Sequence, residues 1–403
     1  MQQTLKTLYI HIPFCLSKCD YCDFFSIPCS CIPDEYVTAL LNECAFYCRR
    51  FRVDGFKTVY LGGGTPSLLS AAQLDRLLSS LKSFGSACAS EITVEMNPET
   101  VTKEKLEAVQ ANGVNRLSLG VQSLHDEALA AVHRHCSAEK ALEGLETVAS
   151  IWNGDVSLDV MAGLPGQTER TFKDSLEQIL SFNSEHISLY SLTVEEGTPL
   201  YKRIKNGFVL NEDEIDEQWF LGREMLLEHG YRQYEVSNFA KPGHESRHNS
   251  AYWQQEDYIG IGCGATGTVY DFSSGGQGFR WKNEESLDSY LSFWLDAADE
   301  ERWLEKAPLV RENLDLATQE FEFLMMGLRT LKGVCADEYR KRFSALEPWK
   351  GDIAFRLGES DGIWKRFSDE NKCSVVQIAG GGKQYALTNE GLLFLNTFLR
   401  YLT

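Results

Sequence analysis

The sequence predicts an α/β fold built on a partial (β/α)6 barrel, followed by a small α+β, winged-helix-like C-terminal domain. Three observations predict the barrel. From residue 6 to about 200, short strand-like runs alternate with helical stretches, the order of a parallel sheet whose crossovers are helices. The runs are near-continuously apolar, as strands covered on both faces are. Glycine-rich and polar motifs fall directly after them, at the strand exits where barrels of this kind carry their chemistry.

The six strands are expected at 7–12, 58–63, 91–96, 115–121, 156–163 and 186–192. Ser70-Ala-Ala-Gln73 reads as a capping box, and Leu74, Leu77, Leu78 and Leu81 mark one face of the helix it opens. A second helix runs from about Lys103 to Ala111, with Gly113 as its stop. Further helices are expected over 168–181 and 212–229, and residues 272–283 read as an exposed loop or hairpin turn. A second region starts near 300. Its best helix is 316–332, with Phe321, Leu324, Met325, Leu328 and Leu331 on one face, and a strand, a turn at 380–383, a second strand and a helix opened by Thr388 end the chain. The resulting division is 1–230, 231–300 and 301–403.

Composition sets limits on function. No run of eighteen apolar residues occurs, so no membrane span is expected. The opening MQQTLKTLYIHIPF lacks the pattern of a signal peptide, so a cytoplasmic location is the default. Twelve cysteines in such a chain are expected to stay reduced. The net charge of −19 argues against nucleic-acid binding. Residues 301–403 carry 15 Lys+Arg against 15 Asp+Glu, so the whole excess lies in the first 300, a second hint of two regions.

The densest chemistry is in LYIHIPFCLSKCDYCDFF, residues 8–25, where Cys15, Cys19 and Cys22 form C-x3-C-x2-C. Three thiolates can hold three corners of a cubane iron–sulfur cluster, which usually takes four cysteines. One iron then keeps an open position for a small molecule, as catalytic zinc sites do. Three cysteines alone also suit a structural zinc knuckle. With Tyr21 before the last cysteine, however, the array resembles the radical S-adenosylmethionine (SAM) superfamily. The longer string YIHIPFCxxKCxYCDF is similar to the branch that holds the oxygen-independent coproporphyrinogen III dehydrogenases and the HemW-type haem chaperones.

The resemblance implies a [4Fe–4S] cluster whose open iron binds the amino and carboxylate groups of SAM, and whose electron splits the sulfonium. It also implies roles by position. Gly62-Gly63-Gly64-Thr65-Pro66 matches a backbone motif that holds the methionine amino group. A tight strand-to-helix turn is its plainer reading. Glu95 at the third strand exit, Gln122 at the fourth, Arg134 in HRHC and Asp159 in LDVMAGLPGQT match residues beside SAM. Asp159 reads equally as a helix-capping carboxylate. Tyr9 and Phe24 are counted with these cofactor-lining residues, and His11 reads as a core histidine or a catalytic one. His248-Asn249-Ser250-Ala251-Tyr252-Trp253 matches an HNxxYW motif of the haem-chaperone group. His248 suits a haem ligand chemically, and it suits a packed core position as well. The run Gly260–Gly267 resembles a phosphate-cradling loop without the Lys-Ser/Thr of a P-loop, and the resemblance sets it near the SAM adenine.

Two activities share this scaffold: radical decarboxylation of coproporphyrinogen III, and haem binding with delivery to an acceptor protein. Phe24 stands where the dehydrogenases have a fourth cysteine, only fourteen residues precede Cys15, and HNxxYW is present. All three favour the haem chaperone. The expected partners are haem, a haem-requiring acceptor (a membrane-associated respiratory protein is one candidate) and a second copy of the chain. A structural metal-binding adaptor without SAM is the reading from a third class.

Overall fold

A computed structural model describes residues 5–86, 89–273, 275–296, 299–378 and 382–402. Six parallel strands form its centre: β1 (Leu5–Ile12), β2 (Gly55–Gly63), β3 (Glu91–Met96), β4 (Arg116–Gln122), β5 (Asp155–Ala162) and β6 (His186–Ser191). They pair in chain order. The intervening helices include Asp34–Arg50, Ala71–Lys82, Lys103–Ala111, Ala138–Ile151 and Glu169–Ser181. This is the expected α/β barrel arc.

The sheet extends further on both sides, to twelve strands among the described residues. Asn238–Ala240 and Arg232–Gln233 continue antiparallel from β6. Tyr258–Ile261 lies parallel to β1, and Thr266–Val269, Gly278–Asn283 and Leu309–Leu314 follow antiparallel. The stretch expected to be an exposed loop or hairpin turn therefore holds an internal strand over 278–283, and its Trp281 is fully buried. The glycine run at 260–267 is a strand, a turn and the start of the next strand. Gly262 and Gly264 take positive φ in the turn. A Cβ on Gly260 would sit 1.8 Å from the Thr266 carbonyl oxygen, so the close approach of two chains requires the glycine.

The barrel strands also differ from the expected uniform apolarity. They alternate. Leu8, Ile10, Val59, Leu61, Val94, Leu117, Leu119, Leu158, Ile187 and Leu189 join the helix-packed core. The opposite face carries Tyr60, Thr93, Glu95, Arg116, Ser118, Ser157, Asp159, His186, Ser188 and Tyr190, which line one internal polar cavity. Strand side chains point to opposite faces with period two, so strands β2 to β6 can pack an apolar row on the helices and turn polar residues toward this cavity.

Local signals formed as read. Gln73 N–H donates to Ser70 Oγ (3.2 Å) and Ser70 N–H to Gln73 Oε1 (3.0 Å), with the four leucines buried. Glu169–Ser181 is capped by Thr168, which accepts from Thr171 N–H. Asp159 is therefore not its cap.

Beyond the sheet, Leu316–Leu328 leads into a three-stranded antiparallel sheet of Val334–Cys335, Lys383–Leu387 and Cys373–Gln377. The expected turn at 380–383 falls partly outside the described residues. The buried residues of this part form their own core, including Phe323, Leu328, Tyr339, Trp364 and Phe398. Polar links tie it to the barrel: Arg280 to Glu322 through two bonds of 2.8 Å, Arg329 to Glu235 at 3.0 Å, and Gln255 to the Gln319 carbonyl at 2.7 Å. No helix among the described residues is long and apolar enough to cross a membrane.

Candidate cofactor site

The cysteine loop begins where β1 ends. Phe14–Cys15 pairs in parallel with Ile27–Pro28, and Cys29 N–H donates to the Cys15 carbonyl at 2.8 Å, so residues 16–26 leave and return at one point. Asp20 anchors the loop from inside. Its backbone bonds Val132 and Leu200, both at 2.9 Å, and its buried carboxylate accepts from Arg203 Nη1 (2.8 Å) and pairs with His133 Nδ1 (2.9 Å).

A cavity of about 420 Å³ lies over the strand exits, lined by Cys15, Cys19, Cys22, Phe24, Gly63, Gly64, Thr65, Glu95, Gln122, Arg134 and Asp159. These are the predicted site residues except Tyr9 and His248. Elements far apart in sequence meet here because the chemistry of a parallel barrel gathers at one end of its strands.

The glycine motif packs against the cysteine loop. Gly64 N–H donates to the Ile12 carbonyl (2.9 Å) and Thr65 N–H to the Phe14 carbonyl (2.8 Å). A Cβ on Gly64 would meet the Phe14 carbonyl oxygen at 2.6 Å and Cys15 Sγ at 3.0 Å, and Gly63 sits at φ +116°. Glu95 accepts from Gly63 N–H (3.0 Å) and Tyr60 Oη (2.7 Å). Burial, followed by repulsion from Asp159, pushes Glu95 up to about 7, against those two bonds. Burial likewise pushes Asp159 up to about 6, against Ser188 and Arg134.

Gln122 follows a shift of strand register and takes φ +68°, a strained conformation for a non-glycine residue. Its Oε1 is buried without a partner, and so is Arg134 Nε. The Arg134 guanidinium donates to the Gly120 carbonyl and lies 3.4 Å from both Tyr21 Oη and Asn97 Oδ1. Asn97 also donates to Thr65 Oγ1 (3.3 Å). Asn97 and Asp20 were missed by the sequence reading. Asn97 directly follows β3, two residues after Glu95 on the same strand exit, so its place there is a usable signal.

Unpaired buried polar atoms need a partner, so Gln122 Oε1 and Arg134 Nε fit a polar ligand in this cavity. Three thiols on one loop fit an iron–sulfur group. Burial pushes the thiols of Cys15 and Cys22 up, Cys22 to about 11, so iron would have to displace protons. Among the described residues, no three His, Cys, Asp or Glu side chains are close enough to share a single metal ion. A cluster, whose thiolates bind different irons, does not require that.

Two predicted residues lie elsewhere. Tyr9 lines a neighbouring cavity, with its hydroxyl 2.8 Å from His11 Nδ1. His248, read from the sequence as a haem ligand or a packed core residue, has the geometry of the second. It is 1 % exposed, its Nδ1 is 2.9 Å from Thr58 Oγ1, and its Nε2 is 3.0 Å from Tyr252 Oη. Both ring nitrogens are engaged, and the ring stacks on Tyr60 at 4.8 Å. Thr58 precedes Gly63 by five strand residues, roughly 16 Å at the rise of a parallel strand. His248 is thus a packed core histidine toward the far end of the barrel, and its helix is held there by Glu91, which accepts from the Arg247 and His248 amides. The glycine run at 260–267, expected near SAM, contributes Gly264, Ala265 and Thr266 to the neighbouring cavity.

A barrel of this topology with a three-cysteine loop at its strand exits defines a radical SAM protein, and a sequence model of the Radical SAM superfamily matches residues 9–179. Within that superfamily, the chain belongs to the HemW family. It is 34% identical to the heme chaperone HemW of Lactococcus lactis, over 85% of this chain and 86% of that one, and 35% identical to that of Bacillus subtilis, over 84% and 87%. It is similar in fold to coproporphyrinogen III oxidase (HemN) from Escherichia coli, with a TM-score of 0.76 over 100% of this chain and 91% of that one at 21% identity.

Proposed function

We propose that this chain binds haem and delivers it to a haem-requiring acceptor protein, and that it carries a [4Fe–4S] cluster with SAM beside it. The observation that carries the haem half is the 34% identity, over 85% of the chain, to a relative named a heme chaperone. The cavity supports the cofactor half. In this reading Cys15, Cys19 and Cys22 hold three irons. When bound, the cluster and SAM supply one-electron chemistry. The chain's own groups bind and orient. Gly63 and Gly64 let backbone approach a ligand closely, Glu95 and Asp159 face its cationic and hydroxyl groups, and Gln122 Oε1 and Arg134 Nε take its polar atoms.

The cluster's part in a carrier is to assist dimerisation or to couple haem release to redox state. A variant with Cys15, Cys19 and Cys22 all changed to Ala that still dimerises and releases haem like wild type would remove that part. The division into 1–230, 231–300 and 301–403, the cytoplasmic location and a membrane-associated respiratory acceptor belong to the same reading.

The second reading, a coproporphyrinogen III dehydrogenase, draws on the likeness of fold to HemN. One experiment separates the two. Anaerobically reconstituted protein is titrated with haem, and separately incubated with SAM, dithionite and coproporphyrinogen III. Stoichiometric haem binding without decarboxylation is expected. Turnover to protoporphyrinogen would replace the carrier reading with the enzyme.

A further inference from the structure

A second cavity, about 460 Å³, adjoins the cysteine-lined one. Asp23 and Phe24 line both, so this short segment is the partition between them. Phe24 is 63 % exposed, a large apolar ring left facing the two openings. The rest of the wall holds four aromatic rings, Tyr9, Phe25, Tyr252 and Tyr258, with Ala265 and Thr266 beside them. These rings are held. Tyr252 meets Tyr258 edge-to-face at 4.8 Å and 89°, the Tyr252 hydroxyl is bonded to His248, and the Tyr9 hydroxyl to His11. The glycine turn closes one side, where a Cβ on Gly264 would meet the Phe25 ring at 2.7 Å.

We propose that this cavity is the haem site, with the tetrapyrrole against the aromatic wall and a propionate on Lys282. The proposal rests on the haem-carrier reading and gives it a location. Rigid aromatic faces suit a flat conjugated ligand. Lys282 is half-exposed at the rim, paired with Glu285 at 2.8 Å. Lys282 is the one Lys or Arg of the described lining, against the acids Asp23 and Glu285, so a propionate takes this cation by displacing Glu285 from it. His11 also lines the cavity, and burial lowers it to about 4, so it presents a neutral imidazole at physiological pH. Its Nε2 has one long contact, 3.4 Å to the Phe25 carbonyl. The HNxxYW motif then acts through Tyr252, a wall residue, and His248 positions that ring.

The test uses the full chain, reconstituted anaerobically and titrated with ferric haem by its Soret absorbance. Lys282→Glu should weaken haem binding about tenfold or more, the scale of a lost charge-assisted contact in a site that gains a repulsive one. Thr266→Trp should abolish binding by filling the cavity. Iron and sulfide content should match wild type in both, and saturating SAM should leave bound haem in place. Lys282 is exposed, so that variant stays decisive if Thr266→Trp does not fold. Wild-type haem affinity in Lys282→Glu, or displacement of haem by SAM, overturns the location and leaves the haem-carrier reading standing. Absence of haem binding by wild type overturns both.

Discussion

Glu95 is where a single residue makes this site sensitive to pH. Its carboxyl is raised from an ordinary 4.5 to about 7, first by burial and next by Asp159. A carboxyl raised in the folded state favours folding in its protonated form. That contribution is full below 4.5 and is lost as pH rises through 7. Glu95→Gln keeps the shape without the charge. The melting temperature of Glu95→Gln relative to wild type should therefore rise from about pH 5 to about pH 8. A difference that does not change with pH would show that Glu95 is ionised in the fold throughout. Residue types legible in the sequence, Glu95, Gln122, Arg134 and Asp159, do converge on one cavity. His248 illustrates the opposite outcome: its type suits haem iron, but only packing reveals that both nitrogens are engaged.

Among the elements, the cysteine loop depends most on long-range support. Residues 16–26 contain no helix or strand, and the loop is pinned at its base by Ile27–Pro28 and at its middle by Asp20. Asp20→Ala removes the partner of Arg203 and His133, while Arg203 keeps the Ala131 carbonyl and its stack on Phe208. We expect faster hydrogen exchange confined to the loop and its contacts at 132–134 and 199–205, and lower retained iron after gel filtration. Wild-type exchange across the loop would show that the backbone bonds alone hold it. The sequence marks Asp20 only as a residue between two cysteines. Its partners are 113 and 183 positions away, beyond any local pattern. The helix-opening signals at Ser70 and Thr388 were legible because their partners lie three residues on.

For the whole molecule, the question is how the barrel and the C-terminal core hold together. Arg280 lies on the large sheet, while Glu322 belongs to the helix that opens the C-terminal region. Glu322 is 8 % exposed and takes both bonds from Arg280. Arg280→Ala would leave a nearly buried carboxylate without that partner, a change that costs about 3 kcal/mol. Urea unfolding should show a loss of that size, and an unchanged midpoint would mean that the pair adds nothing to the junction. By itself the sequence determined the alternation of strands and helices, the caps, the cysteine array and the order of motifs at the strand exits, because each rests on spacing within one element or on a short string. Only the tertiary structure decided that the strands turn a polar face inward, that Tyr252 rather than His248 reaches a cavity, and that Asp23 and Phe24 divide two of them. Those facts depend on which distant segments meet, and period and composition in one dimension do not contain that information.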